Sequence, residues 1–264
     1  MIGIMRGLWS YREFIRSSIR NELHSRFARS RLGGLWMIIN PLAQAAIYAI
    51  VLSSVISARL PGSEGKYAYA LYLLSGFLGW TLFAEIVTRC LTLFIDNGTL
   101  IKKVSFPRIT LPAIAIGSAL LNNLFLLIAV LLVFTLLGHD LTASMLFVVP
   151  LTACVVAFAV GIGLILGVMN VFVRDLGQVV PIVLQIGFWL TPVVYPISII
   201  PEAFRKIIAH NPMYHMVSGY QDALALSVEP RMGSLVWLML ASLALLALGL
   251  FMFRRAAPEV ADHL

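Results

Sequence analysis

Long apolar runs separated by short polar islands organise this chain. Leu35 to Ala58, Tyr67 to Ile95, Leu111 to Gly138, Leu141 to Val173, Leu176 to Ile200 and Gly233 to Phe253 carry just two charged side chains between them, Glu85 and Arg89. At about 1.5 Å per residue, roughly 20 helical residues cross about 30 Å of hydrocarbon. Each run reaches that length, and none has the short alternating pattern of a barrel strand. The pattern predicts an all-α integral membrane protein with six transmembrane helices.

Two stretches depart from it. In residues 1 to 34, Leu8, Tyr11, Ile15, Ile19 and Leu23 fall on one helical arc and Arg12, Arg16 and Arg20 on the next. This is an amphipathic helix lying in the headgroup plane, with guanidinium groups toward phosphate. It serves either as a basic anchor or as a brace for a cytoplasmic partner. The fifth run contains Pro181, Pro192 and Pro196, so its helix should break near Thr191-Pro192. From there to about Met232, apolar patches alternate with Glu202, Arg205 and Lys206, and Asn211-Pro212 marks a turn. That pattern predicts two short re-entrant helices between spans five and six. Such backbone is tolerated only where protein covers it or it lines a wet cavity.

Composition agrees. Of 264 residues, 60% are hydrophobic and 12% charged, with a mean hydropathy of +0.94; soluble domains carry roughly 25% charged residues. Six spans place both ends on one side, and the basic residues say which. Seven arginines precede Leu35, then come Lys102, Lys103, Arg108, Arg174, Arg254 and Arg255, against Arg59, Lys66, Arg205, Lys206 and Arg231 on the other face. The excess puts both termini in the cytoplasm. The net charge of +7 therefore reports membrane lipids rather than nucleic acid. The domains read as a cytoplasmic amphipathic segment (1–34), a permease domain (35–253) and a cytoplasmic tail (254–264).

Candidate chemistry is sparse. Cys90 and Cys154 lie in separate apolar runs, the five histidines are scattered, and no signal-peptide core opens the chain. There is no GxxxxGK[ST] loop, catalytic triad or zinc motif, so no enzyme activity and no cofactor are expected in this chain. Glu85 and Arg89 sit one turn apart inside the second span, an intramembrane ion pair whose Arg has the inner headgroups within reach. The polar segment from Asp96 to Pro112, with Lys102, Lys103 and Arg108, is the largest cytoplasmic element between spans. Arg174-Asp175 is a minimal inner turn.

The motifs SRLGGLWMIINPL, LLSGFLGWTLF, LIKKVSFPR, NVFVRDLGQVVP, TPVVYP and NPM occur in the order seen in polysaccharide-exporting permeases of the ABC type 2 superfamily. The resemblance runs from about Arg26 to Leu226 and is close to the O-antigen export permeases. It implies a homodimer in the bacterial inner membrane, joined by two copies of a separate ABC ATPase that binds ATP and Mg, moving lipid-linked polysaccharide outward. It further implies that the segment at 96–112 is a coupling helix, with Asp96, Lys102, Lys103, Phe106, Pro107, Arg108, Arg174 and Asp175 facing the ATPase. The N-terminal helix becomes an interface helix and residues 192–232 an outer gate. Spans one and five would line the channel, where Trp36, Tyr48, Phe188, Trp189 and Tyr195 offer flat apolar faces to sugar rings. Teichoic acid, lipid or drug remain alternative cargoes. An ion-coupled secondary transporter would use mid-membrane ionisable groups, and Glu85 and Arg89 alone come close.

Overall fold

The computed structural model describes residues 7, 9–27, 32–36, 38–40, 42–44, 46–47, 67–103, 106–230 and 232–263. Every regular element among them is a helix. Helix α1 covers Arg12–Phe27, α2 Ala68–Asp96, α3 Gly98–Lys103, α4 Thr110–Leu136 and α5 Val148–Phe172. Helix α6 covers Leu176–Leu190, α7 Glu202–Ile208, α8 Pro212–Leu224 and α9 Met232–His263. Short 3-10 turns lie at Gly33–Leu35, Ala143–Phe147 and Ile197–Ile199. Four described stretches are long and apolar enough to cross a membrane: Ala68–Asp96, Thr110–Leu136, Ala143–Phe172 and Leu235–Ala256. Helix α6 is apolar but shorter. Much of the expected first span, Tyr48 included, and the loop from Arg59 to Lys66 lie outside the described residues. The described residues from 36 to 47 are helical.

Helix α2 is the hub, packed against α5, α4 and α8. Leu73, Leu78 and Ile86 are completely enclosed. Lipid tails are as apolar as leucine, so close backbone approach rather than hydrophobic exclusion holds such helices together. Glycines permit it here. A Cβ at Gly167 would lie 2.2 Å from the Cys90 carbonyl oxygen, and one at Gly163 would lie 2.6 Å from the Cys90 Cβ. On another face of α5, Gly161 meets the α9 backbone at Leu245, and Gly249 meets Gly161 in return. The GxxxG pair is thus the α2–α5 contact. Helices α4 and α9 turn Leu124, Ile128, Leu132, Trp237, Leu240 and Phe251 outward, an apolar surface suited to lipid.

The break after α6 falls at Thr191, as the prolines predict. Its irregular backbone is not left unsatisfied. Tyr69 on α2 donates to the Val194 carbonyl at 2.8 Å, and Gln221 on α8 donates to the Pro192 and Val193 carbonyls, each at 3.2 Å. Asn211 caps α8 by accepting from the Met213 amide at 3.0 Å, and donates to the Thr191 hydroxyl at 3.0 Å. Tyr69 and Gln221 therefore supply backbone hydrogen bonds that the break removes, and Asn211 ties the start of α8 to the Thr191 side chain.

Two boundaries differ from the sequence reading. The last helix does not stop at Phe253 but continues through Arg254-Arg255 to His263. Arginine is a good helix former, so charge marks where a helix leaves the apolar layer, not where it ends. The fourth run opens with a 3-10 turn, and Val148 starts the α-helix. Pro150 is then its third residue, where no intrahelical N–H bond is lost.

Candidate functional site

A groove of about 800 Å³ opens between α2, α4, α6 and the helical residues around 36–44. Its walls follow helical spacing. Helix α2 contributes Phe77, Trp80, Thr81, Ala84, Glu85 and Thr88, one stripe of i, i+3 and i+4 positions. Trp36, Asn40 and Gln44 supply a second stripe at four-residue intervals, and Pro181, Leu184, Gln185, Phe188 and Trp189 a third from α6. Asn122, Asn123 and Leu126 of α4 close it.

The lining combines aromatic faces with amides. Phe188 sits edge-on to Phe77 and Trp80, both with ring centres 5.9 Å away, and Trp189 stands 5.6 Å from Phe188. Phe188 is buried, whereas Trp36 and Trp189 keep 39% and 47% of their surface open. Open aromatic faces beside amide groups bind amphipathic, hydroxyl-rich molecules, because the ring covers C–H surface while the amides serve the hydroxyls. Among the expected path residues, Trp36, Phe188 and Trp189 come together here. Tyr48 lies outside the described residues. Tyr195 is not in the wall; its hydroxyl donates to the Trp189 carbonyl. The sequence assigned no role to the aromatics Phe77 and Trp80 or to the five amide side chains. The four-residue spacing of Trp36, Asn40 and Gln44 was the available signal.

Toward the basic end of the bundle the groove meets a charged clasp. Arg89 donates through Nε and Nη2 to Glu85 Oε1 at 2.8 and 2.7 Å, and through Nη1 to Glu22 Oε1 on α1 at 2.5 Å. The Ser118 hydroxyl donates to Glu22 Oε2 at 2.7 Å, and the Asn122 amide donates to Glu85 Oε1 at 2.6 Å. The Asn122 carbonyl oxygen is buried without a hydrogen-bond partner among the described residues. Arg89 pairs with Glu85 one turn away, as the sequence suggested, and with Glu22 as well. Its side chain is 13% exposed, because α1 lies across it and supplies a second carboxylate. One guanidinium fork holding two carboxylates from different helices is a task for Arg rather than Lys.

Helix α1 also rests on the element at 96–112. Phe14 lies 6.2 Å from Phe106, and a Cβ at Gly7 would touch Pro107 at 3.7 Å. Ile19 fills the notch at Gly117 of α4, where a Cβ would lie 2.5 Å from Ile19 Cδ1. Asp96 ends α2, Lys102 is exposed on α3, and Phe106, Pro107 and Arg108 are half-buried. Lys103 belongs to α3; its side chain lies outside the described residues. Arg174 and Asp175 are exposed in the turn between α5 and α6. That turn lies at the same end, since Asn170 donates to the Leu91 carbonyl at 2.9 Å. The polar segment and the amphipathic helix, separate in sequence, are therefore packed together.

Known proteins share this pattern. The family described as ABC-2 type transporter matches residues 13–225. An O-antigen export system permease protein, RfbA, from Klebsiella pneumoniae is 34% identical over 206 residues, covering 76% of each chain. A protein of the same name from Myxococcus xanthus is 27% identical over 266 residues and covers all of both chains. The polysialic acid transport protein KpsM of Escherichia coli is 24% identical over 234 residues, covering 88% of this chain and 89% of its own. A family match across most of the length, on a bundle of membrane-length helices, establishes that this chain belongs to the ABC-2 type transporter family.

Proposed function

We propose that the chain is the membrane subunit of an ABC exporter that moves lipid-linked polysaccharide, of O-antigen or capsule type, out of the cytoplasm. The single observation that carries this reading is the groove in which Trp36, Trp80, Phe188 and Trp189 stand beside Asn40, Gln44, Asn122, Asn123 and Gln185. A sugar polymer needs a path that grips weakly and repeatedly. Aromatic faces give contact with few fixed hydrogen bonds, and amides can exchange partners as hydroxyls pass. The names of the relatives, O-antigen and polysialic acid transporters, support the same cargo class.

In this reading six spans place both termini in the cytoplasm of a bacterial cell, in its inner membrane, with residues 192–232 forming the outer gate. Two copies of the chain enclose the path, and two ABC ATPase subunits, which hold ATP and Mg, drive it. The chain needs no cofactor of its own. The ATPase presses on α3 and the segment through Arg108, with Arg174-Asp175 beside it. Because Phe106 packs on Phe14, that push reaches α1, and through Glu22 and Arg89 it reaches Glu85 on the groove wall.

The test is export of labelled polymer into inverted vesicles or proteoliposomes containing this chain, with and without its candidate ATPase. ATP-dependent uptake of polysaccharide, not displaced by drug or simple lipid, is the expected result. Uptake that requires a proton gradient and ignores ATP overturns the proposal.

A further inference from the structure

The outer face of α1 holds a second, unrelated cavity of about 480 Å³, formed where the helix leans on α4. Its floor is Ile15, Ile19, Leu23 and Leu121, and its rim is Arg12, Arg16 and Arg20. The three arginines recur every four residues, one above another on a single face. They are not equivalent. Arg12 lies 4.8 Å over the Trp9 ring, and its Nε is 3.9 Å from Glu13. Arg16 and Arg20, both exposed, have no carboxylate or hydrogen-bond partner among the described residues. The nearby carboxylate on the same helix, Glu22, is turned the other way into the Arg89 clasp.

Two unpaired guanidinium groups at the mouth of an apolar slot form a site with two chemical requirements. The rim calls for an anion, and the adjacent slot calls for a hydrocarbon chain that would otherwise leave Ile15, Ile19 and Leu121 against water. A free anion meets the first requirement alone, and a neutral lipid meets the second alone. We propose that this cavity is a binding site for one anionic phospholipid of the leaflet at the basic end, its phosphate held by Arg16 and Arg20 and an acyl chain laid over Ile15, Ile19, Leu23 and Leu121. Successive arginines lie about 6 Å apart along the axis, so one phosphate accepts from both. The site is built from α1 and α4 together, and so exists only while α1 is docked with Ile19 in the Gly117 notch. Lipid binding and docking of α1 are therefore linked, each favouring the other. The inference does not depend on which cargo the exporter carries.

The experiment is native mass spectrometry of the purified full chain in detergent, titrated with equimolar phosphatidylglycerol and phosphatidylcholine. Wild-type protein should retain one phosphatidylglycerol per chain, at least about tenfold in preference to phosphatidylcholine. Arg16→Gln with Arg20→Gln should remove the preference, and Arg254→Gln with Arg255→Gln should leave it intact. Leu121→Trp fills the slot without changing charge and should also abolish retention. A thermal melt of each variant, matching wild type, shows that the fold persists. If Leu121→Trp keeps the wild-type preference, the arginines attract lipid as a diffuse surface charge and the site is refuted. Retention of phosphatidylglycerol by the Arg16, Arg20 double variant refutes it equally. Protein prepared from cells that make no polysaccharide precursor tests the source. If the tightly held species in ordinary preparations is a prenyl-linked phosphate instead of a phospholipid, the assignment to phospholipid falls.

Discussion

Helices α8 and α1 are both joined to α2, and they are fastened in opposite ways: α8 packs directly against it, whereas α1 rests on α4 and meets α2 through the Glu22–Arg89 pair. Helix α8 is fitted to it. Tyr220, with no exposed surface, lies over Gly79, where a Cβ would stand 2.8 Å from its ring, and Gln221 lies over Gly76. The Tyr220 hydroxyl is 2.6 Å from Thr152 on α5. Helix α1 is tied on. Besides Ile19 in its notch and Phe14 against Phe106, it is held by Glu22, whose carboxylate is shared by Arg89 and Ser118, and most of its surface is open. A glycine-fitted contact cannot slide without opening a packed interior. A charge-assisted tie has a second acceptable state, since Arg89 keeps two hydrogen bonds to Glu85 when Glu22 departs. The difference makes α1, not α8, the easier attachment to undo.

The sharpest way to break that comparison is to spoil the fit. Gly79→Leu drives a side chain into the Tyr220 ring and should cost about 3 kcal/mol, read as a lowered melting temperature and loss of the monodisperse peak in detergent. Gly34→Ala is the control. No atom of the described residues lies within 4 Å of a Cβ there, so stability should stay within about 0.5 kcal/mol of wild type. A tolerant Gly79 would mean that α8 is not locked.

Removing the fork comes next. Arg89→Leu removes the guanidinium that Glu85 and Glu22 share and should cost about 2 kcal/mol, discounted from the fully buried case because each carboxylate keeps more than a quarter of its surface. Combining it with Glu22→Gln should cost less than the sum, because one of the two stranded charges is gone. Full additivity in that double-mutant cycle would show that the two residues do not interact. Glu22→Gln alone should cost about 1 kcal/mol and should act locally. A thiol placed at Ser18 would become more reactive while one on α8 does not change.

The proposed coupling surface gives a binding effect with no expected stability change. Lys102→Glu with Lys103→Glu reverses charge on α3 and should cut recovery of the ATPase in a pull-down about tenfold, with membrane insertion unchanged. Full recovery would place the ATPase contact elsewhere.

What sequence could and could not reveal follows the same division. Spans two, three, four and six and the break at Thr191 were legible because hydropathy and proline act locally, over lengths that a window can read; the fifth run forms an apolar helix of only 15 residues. The α6 terminus and the short helices α7 and α8 followed from Pro192, Pro196 and Asn211-Pro212. The clasp was half legible. Glu85 and Arg89 stood out as charges in an apolar run, but Glu22 is 67 residues from Arg89 and looked like one more polar residue on an amphipathic helix. The role of Gln221, supplying hydrogen bonds to Pro192 and Val193, was hidden for the same reason. Side chains that satisfy a distant backbone leave no periodic trace. The extension of α9 past Arg255 was misread because a charge pair signals an interface with water and says little about helix termination.

The smallest expected effect tests the groove itself. Trp189 projects into it with 47% of its surface open, so Trp189→Ala removes little packing and should leave the melting temperature nearly unchanged. If the ring serves as a sliding surface, its loss removes one stacking contact of about 0.5–1.5 kcal/mol. Export in the vesicle assay should then fall roughly two- to tenfold, and Trp189→Phe should recover most of it. The aromatic face, not the indole N–H, is the part that a moving sugar ring needs. Suppose instead that Trp189→Ala destabilises the protein while the molecules that remain folded export at the normal rate. The ring would then be a packing surface for lipid or a second copy of the chain, and the path would have to be sought among Trp36, Asn40 and Gln44 on the facing wall.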